Sequence, residues 1–241
     1  LGILSALAPE QEGLVALLHE AVCVRHAGRE FWCGRLHGKS VVVALSRIGK
    51  VAAATTAAAM VERFGAACIV FTGVAGGIGD GVRVGDVVVG SHYLQHDMDA
   101  SPLFPRYEVP LTGTSVFLAD GALVKQLVRA CSAGLGASLV GGASPSVHQG
   151  LIVSGDRFVN GAGEVTALIS TLQLHGHTAL AVEMEGAAVA QTCADYGIPF
   201  AAVRTISDRA DDTAHVDFPQ FVDTVASVYA RNIIGAWLRA N

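Results

Sequence analysis

Basic residues are scarce in this chain: 16 Lys and Arg stand against 21 Asp and Glu in 241 residues, for a formal net charge of −5, and nowhere do they gather into a run. Proteins that grip nucleic acid or an anionic membrane concentrate Lys and Arg on one face, so neither partner is expected. Long apolar runs are missing too, since none approaches the ~18 residues of a membrane span. Cysteine is sparse: Cys23, Cys33, Cys68, Cys131 and Cys193 are odd in number and scattered, with no CxxC. That pattern excludes a disulfide framework and suits a reduced, cytoplasmic chain. The opening LGILSALAPEQ has neither the basic flank nor the long apolar core of a signal peptide.

Phosphate and metal signatures are equally lacking. Gly38, Lys39 and Ser40 have the end of a phosphate loop, but Cys33 stands where its first glycine belongs and no helix follows. Glycines 73, 76, 77, 79 and 81 do not spell GxGxxG, because Val82 occupies the last required position. His96, Asp97 and Asp99 have no second His or Cys cluster to complete a metal site. No metal and no cofactor is expected.

What is present is a large core. The chain is 51% hydrophobic, 15% charged and rich in glycine, with no repeat or linker to divide it. Residues 1–241 therefore read as one α/β domain. Its pattern alternates short apolar strands with helices. Residues 1–7 form a strand, and Pro9 opens a helix with Leu14, Leu17, Leu18 and Ala21 on its apolar face. Residues 30–36 and 40–46 pair as a hairpin, and an Ala-rich helix follows Gly49. Residues 67–72 make a strand that runs into a glycine turn, where Ala75 and Gly76 let the main chain approach a ligand. A further strand covers 86–94, helices cover 119–133 and 163–174, a strand from 148 ends at Ser154, and a long helix spans 218–239. The apolar loop at 100–116, with Leu103 and Phe104, is long enough to serve as a lid or a subunit contact.

Residues 180–209 organise the rest, as strand, helix, strand and polar tip. Val189 and Cys193 lie four apart on one helical face, and Gly197 and Pro199 end that helix. Glu183, Met184 and Glu185 fall at the end of the first strand, Ser207 and Asp208 at the end of the second. If the two strands are parallel, both acid groups emerge on the sheet edge where open α/β folds bind ligands. Glu10 sits at another strand-to-helix junction, and Phe158 at a fourth tip is placed to stack on a flat heterocycle.

Eight motifs in order carry a resemblance along essentially the whole chain: ALAPE at 6–10, IGKVAA at 48–53, TGVAGG at 72–77, VGDVV at 84–88, HDMD at 96–99, GLIVSGDRFVN at 150–160, VEMEG at 182–186 and RTISD at 204–208. The sequence resembles the methylthioadenosine/S-adenosylhomocysteine nucleosidases of the purine nucleoside phosphorylase-like superfamily. The resemblance implies a three-layer α/β sandwich in which helices flank a central twisted mixed sheet. It implies hydrolysis of the N-glycosidic bond of an adenine nucleoside, with 5′-deoxyadenosine as a further substrate, and a homodimer whose 100–110 loop, through Leu103 or Phe104, completes the partner's site.

Residue by residue, the resemblance makes Asp208 the general acid at adenine N7, with Ser207 placing it. Glu10 activates the water, with Arg204 nearby. Glu185 binds the ribose hydroxyls and Met184 lies under the sugar. Phe158 stacks on adenine, the main chain of Val159 reads its edge, and Ile48 and Phe218 wall the 5′-thio group. The chain departs from the family at Leu7, where Met is frequent, at Arg47, where Gly is, and at Val74, where Ser is. A carboxylate in the ALAPE turn repels phosphate, so water rather than phosphate is the expected acceptor. Two alternatives remain: a hydrolase of futalosine-type nucleosides, and a non-catalytic nucleoside-binding protein.

Overall fold

The computed structural model describes residues 1–135, 144–210 and 221–241. Among the described residues ten strands build one mixed sheet. In chain order they are β1 (Gly2–Ser5), β2 (His19–His26), β3 (Arg29–Leu36), β4 (Lys39–Leu45), β5 (Ile69–Gly77), β6 (Val87–Gln95), β7 (Val116–Leu118), β8 (Val147–Ser154), β9 (Ala179–Glu183) and β10 (Phe200–Asp208). Five of them, β10, β6, β8, β9 and β5, close on one another, because β10 pairs with both β6 and β5. From this closed part β1, β4, β3 and β2 extend as a wing.

The helices are α1 (Ala8–Val15), α2 (Lys50–Phe64), α3 (Gly121–Gly134), α4 (Ala162–Leu174), α5 (Gly186–Asp195) and α6 (Ser227–Ala240), the last entered through a π-helical turn at Val222–Ala226. Apart from α4, whose Leu172 joins a separate cluster with Leu94, Leu151 and Val153, they lie on two faces, each with its own apolar core. Ala53, Ala57 and Met60 of α2 meet Ala187, Val189 and Cys193 of α5 against Leu4, Phe71 and Ala202 of the sheet. Leu14 of α1, Leu123 and Leu127 of α3, and Ile233 and Trp237 of α6 cover Ile3, Val43 and Val203 on the other side. This is the three-layer arrangement expected. The alanines of α2 and α5 allow that close helix packing, and Gly65 ends α2 in the left-handed conformation at φ 65°.

Several local expectations are corrected. Helix α1 stops at Val15, and residues 19–26 form an exposed edge strand, so Ala21 belongs to no helical face. The glycines after residue 72 continue β5 to Gly77 rather than turning away. A Cβ on Gly77 would lie 2.9 Å from Ile206 Cγ2, and one on Gly76 2.9 Å from Ala210 Cβ. Glycine is used there because the strands approach too closely for a side chain. Strands β9 and β10 are not a parallel pair either: β9 pairs antiparallel with β5, and β5 pairs parallel with β10. Their acid-bearing ends still meet, because Val182 faces Gly76 and Asp208 faces the same Gly76. Among the described residues no helix is long and apolar enough to cross a membrane.

Candidate active site

The C-terminal ends of β5, β9 and β10 border a cavity of about 410 Å³. Its lining includes Ile48, Ala75, Gly76, Phe158, Val159, Glu183, Met184, Glu185 and Asp208. Nine of the residues expected at the site thus share one hollow. Leu7 and Val74, two of the departures, line it as well, as does Arg157, which the sequence did not mark. Leu103 and Phe104 do not line it, and Leu103 is 84% exposed. Phe218 lies outside the described residues.

Asp208 is placed by a bulge: β10 uses two residues, Ser207 and Asp208, where β5 advances by one. Bulges beside sites re-aim side chains in this way. Ser207 Oγ donates to Asp208 Oδ2 at 2.7 Å, and the Ala210 amide donates to Oδ1 at 2.7 Å. The carboxyl is buried and its oxygens are oriented from two sides.

Behind the cavity, one buried cation is shared among three acids. Arg204 is 1% exposed, lies with its guanidinium carbon 4.1 Å from the centre of the Phe71 ring, and donates to Glu183 Oε2 from Nη2 at 2.7 Å and Nε at 3.2 Å. Glu183 also receives the Gly186 amide at 2.9 and 3.0 Å, the Glu185 amide at 3.3 Å and the Ser154 hydroxyl. Its carboxylate closes the N-terminus of α5, where the free amides and the helix dipole favour an anion. Glu183 is therefore saturated by protein donors although it borders the cavity.

Glu10 and Glu185 are left without a cation of their own. Glu10 is fully buried at the start of α1, and the Leu7 amide donates to its Oε2 at 3.2 Å, while Oε1 has no partner among the described residues. A Cβ at Gly73 would sit 3.4 Å from Arg204 Nη1 and 3.5 Å from Glu10 Oε2, so the glycine lets acid and guanidinium come together. Burial raises the Glu10 pKa to about 7, against the lowering effects of the Leu7 amide and Arg204. Glu185 accepts the Gly49 amide at 2.9 Å, and its pKa is raised by burial first and by the charge of Glu183 second.

Two loops that frame the opening are tied by a group the sequence did not reveal. Lys50 Nζ meets Asp97 Oδ1 at 2.5 Å, Asp97 Oδ2 accepts the Asp156 amide at 2.9 Å, and Asp156 Oδ1 accepts the Lys50 amide at 2.7 Å. The same lysine reaches Gln95 Oε1 at 3.1 Å. This triangle holds Gly49, the Glu185 partner, in register with Phe158 and Val159. The HDMD motif contributes a carboxylate to lysine there, and among the described residues no cluster suits a metal.

A cavity of nucleoside size, ringed by carboxyls at the tips of a partly closed mixed sheet, defines the class to which the comparisons also assign the chain. The family model described as the phosphorylase superfamily matches residues 1–239, and the chain belongs to that superfamily. Within it, the chain is similar to the 5′-methylthioadenosine/S-adenosylhomocysteine nucleosidase of Shewanella denitrificans, at 34% identity over 92% of this chain and 91% of the relative. It is similar in structure to the nucleosidase of that name from Neisseria meningitidis in complex with methylthio-immucillin-A, with a TM-score of 0.90, 35% identity and coverage of 100% of this chain and 98% of the other. A futalosine hydrolase mutant of Helicobacter pylori also matches, with a TM-score of 0.88, 28% identity and the same coverage.

Proposed function

We propose that the chain, acting as one domain over residues 1–241, is an N-glycosyl hydrolase that cleaves 5′-methylthioadenosine and S-adenosylhomocysteine to adenine and the 5′-thio sugar. The observation that carries this reading is the meeting of Glu185 and Asp208 on one cavity of about 410 Å³, with Glu10 buried beside it. Breaking a ribosyl C–N bond requires a proton on the leaving base, a water on the sugar carbon and stabilisation of a cationic, oxocarbenium-like sugar. Asp208, oriented by Ser207 and the Ala210 amide, gives its proton to adenine N7. Glu10 takes a proton from the attacking water, and Glu185 accepts the ribose hydroxyls. Phe158 covers the base, the Val159 main chain reads its edge, Met184 underlies the sugar and Ile48 bounds the 5′ group.

Charge balance supports the assignment. One arginine stands among Glu183, Glu185 and Glu10, so a transient positive charge on the sugar meets a site with carboxylate to spare. Arg204 acts through Glu183 and Glu10 as a positioning residue. The exposed Leu103 fits a role in a homodimer, in which the 100–110 loop closes the partner's cavity. We place the enzyme in the cytoplasm, with a small adenine nucleoside as its ligand.

The test is release of free adenine in phosphate-free buffer from each nucleoside, alone and with the Asp208→Asn variant. Expected is turnover by the wild type, loss of roughly a hundredfold or more in the variant, and retained nucleoside binding. Near-normal turnover in the variant, or a requirement for phosphate with release of a sugar 1-phosphate, overturns the reading. The likeness to a futalosine hydrolase favours one alternative, and cleavage of a futalosine-type nucleoside in preference to both adenine nucleosides would establish it.

A further inference from the structure

A second cavity, of about 490 Å³, is lined by Gln11, Arg25, Arg29, Glu30 and Arg47, among others. The two cavities have no lining residue in common but come close along the chain at two points: Arg47 precedes Ile48, which lines the nucleoside cavity, and the Gln11 amide donates at 3.4 Å to the carbonyl of Leu7, which lines it as well. The second cavity carries more positive than negative charge. Arg25 is paired with Glu30 at 3.0 Å, whereas Arg29 and Arg47 have no acidic partner among the described residues. Arg29 contacts the carbonyls of Ala27 and Ala52 and the hydroxyl of Thr55, and Arg47 contacts the carbonyl of Gly28. Two buried donors there, Arg29 Nε and Gln11 Nε2, have no acceptor among the described residues. Buried donors rarely stay unpaired, and guanidinium groups facing an open space are suited to a planar oxyanion.

Arg47 is held in this position at some strain. Its φ of 66° is left-handed, a conformation glycine adopts freely and a long side chain does not. Arg29 feels the neighbouring charge, because burial first and Arg47 second lower its pKa. A bound anion relieves both the unpaired donors and the like-charge pair.

We propose that this arginine pocket receives the carboxylate at the far end of a 5′-thio substituent, so that the enzyme selects nucleosides with an acidic 5′ tail. The proposal rests on the nucleosidase reading above. Ile48 bounds the apolar 5′ position and Arg47 is the next residue along, about 3.8 Å away between Cα atoms. A tail of the homocysteine kind carries its carboxylate a few bonds beyond sulfur, while a methylthio group ends before the pocket.

The experiment compares kcat/KM for S-adenosylhomocysteine and for methylthioadenosine in the wild type and in Arg47→Gln, Arg47→Lys and Arg47→Gly. The expected result is a roughly tenfold fall in the ratio of the two in Arg47→Gln and Arg47→Gly, partly recovered in Arg47→Lys, as loss and retention of one charged hydrogen-bonding partner predict. A ratio that stays at its wild-type value in Arg47→Gln, or falls as far in Arg47→Lys as in Arg47→Gln, overturns the proposal. Inorganic phosphate added as a competitor separates a substrate tail from a free oxyanion. Inhibition confined to the acidic substrate and lost in Arg47→Gln supports the proposal, and equal inhibition of both substrates assigns the pocket to a free anion and refutes it. If neither nucleoside is cleaved, the nucleosidase reading fails, and the ratio of their affinities by calorimetry still decides for or against the pocket.

Discussion

Replacing Glu10 by Gln removes a buried charge without removing its volume or its ability to accept the Leu7 amide, so it separates the chemical task of the carboxylate from its effect on the fold. The shift of Glu10 from 4.5 to about 7, at ~1.4 kcal/mol per pH unit, means that ionising it inside the folded protein weakens the fold by about 3 kcal/mol. The sign follows from proton counting. Between about 4.5 and 7 the folded protein holds a proton that the unfolded chain has released, so this group's contribution to stability is lost as pH rises through the window and is constant above it. Glu10→Gln therefore unfolds later than the wild type at pH 8, by as much as about 3 kcal/mol in denaturant, or roughly 5–10 °C in a thermal scan for a chain of this size. The advantage shrinks on acidification and disappears near pH 4.5. Adenine release by the same variant falls by roughly a hundredfold or more. A variant no more stable than the wild type at pH 8, or equally favoured at pH 8 and pH 5, refutes the account of Glu10 as an uncompensated buried acid.

Because Glu10 must be ionised to activate water, kcat/KM of the wild type rises with pH towards about 7, with Glu185 steepening the climb, until ionisation of the acid Asp208 opposes it; a rate that holds constant down to pH 5.5 contradicts the assignment. Gly76→Ala places a Cβ 2.9 Å from Ala210 Cβ and 3.1 Å from Asp208 Oδ1, so the acid has to move. Steady-state kinetics of that variant show kcat reduced by roughly tenfold to a hundredfold with a smaller change in KM, and an unchanged kcat would mean that the placement of Asp208 is not critical.

Much of this architecture is legible in the residues because it depends on local pattern. The alanine run of α2, the apolar core of β1 and the stop at Gly197 are read directly, and acids at strand ends mark an edge of the sheet. Strand β2 escapes that reading because HEAVCVRH is an exposed edge with no buried apolar face to alternate, stabilised chiefly by pairing with β3. The extension of β5 through its glycines escapes it for the opposite reason: glycine lacks strand preference, and only the proximity of Ile206 and Ala210 explains its use there. The triangle of Lys50, Asp97 and Asp156 joins residues 47 to 106 positions apart, a relation no local spacing reveals.

The same distinction between pattern and partnership decides the roles of the acids. Glu183 and Glu185 are separated by one residue, and local pattern alone, without the family resemblance, offers no ground for treating them differently. In the fold Glu183 takes Arg204, the amides at the start of α5 and the Ser154 hydroxyl, whereas Glu185 receives one amide and borders the cavity. Had Arg204 been aimed at Glu185 instead, that carboxylate would be neutralised before substrate arrived, and the cation forming on the sugar would gain little from it. By directing the arginine to Glu183, the fold leaves Glu10 and Glu185 with the raised pKa values of acids that lack a counter-charge. The missing charge is the one that the transition state supplies.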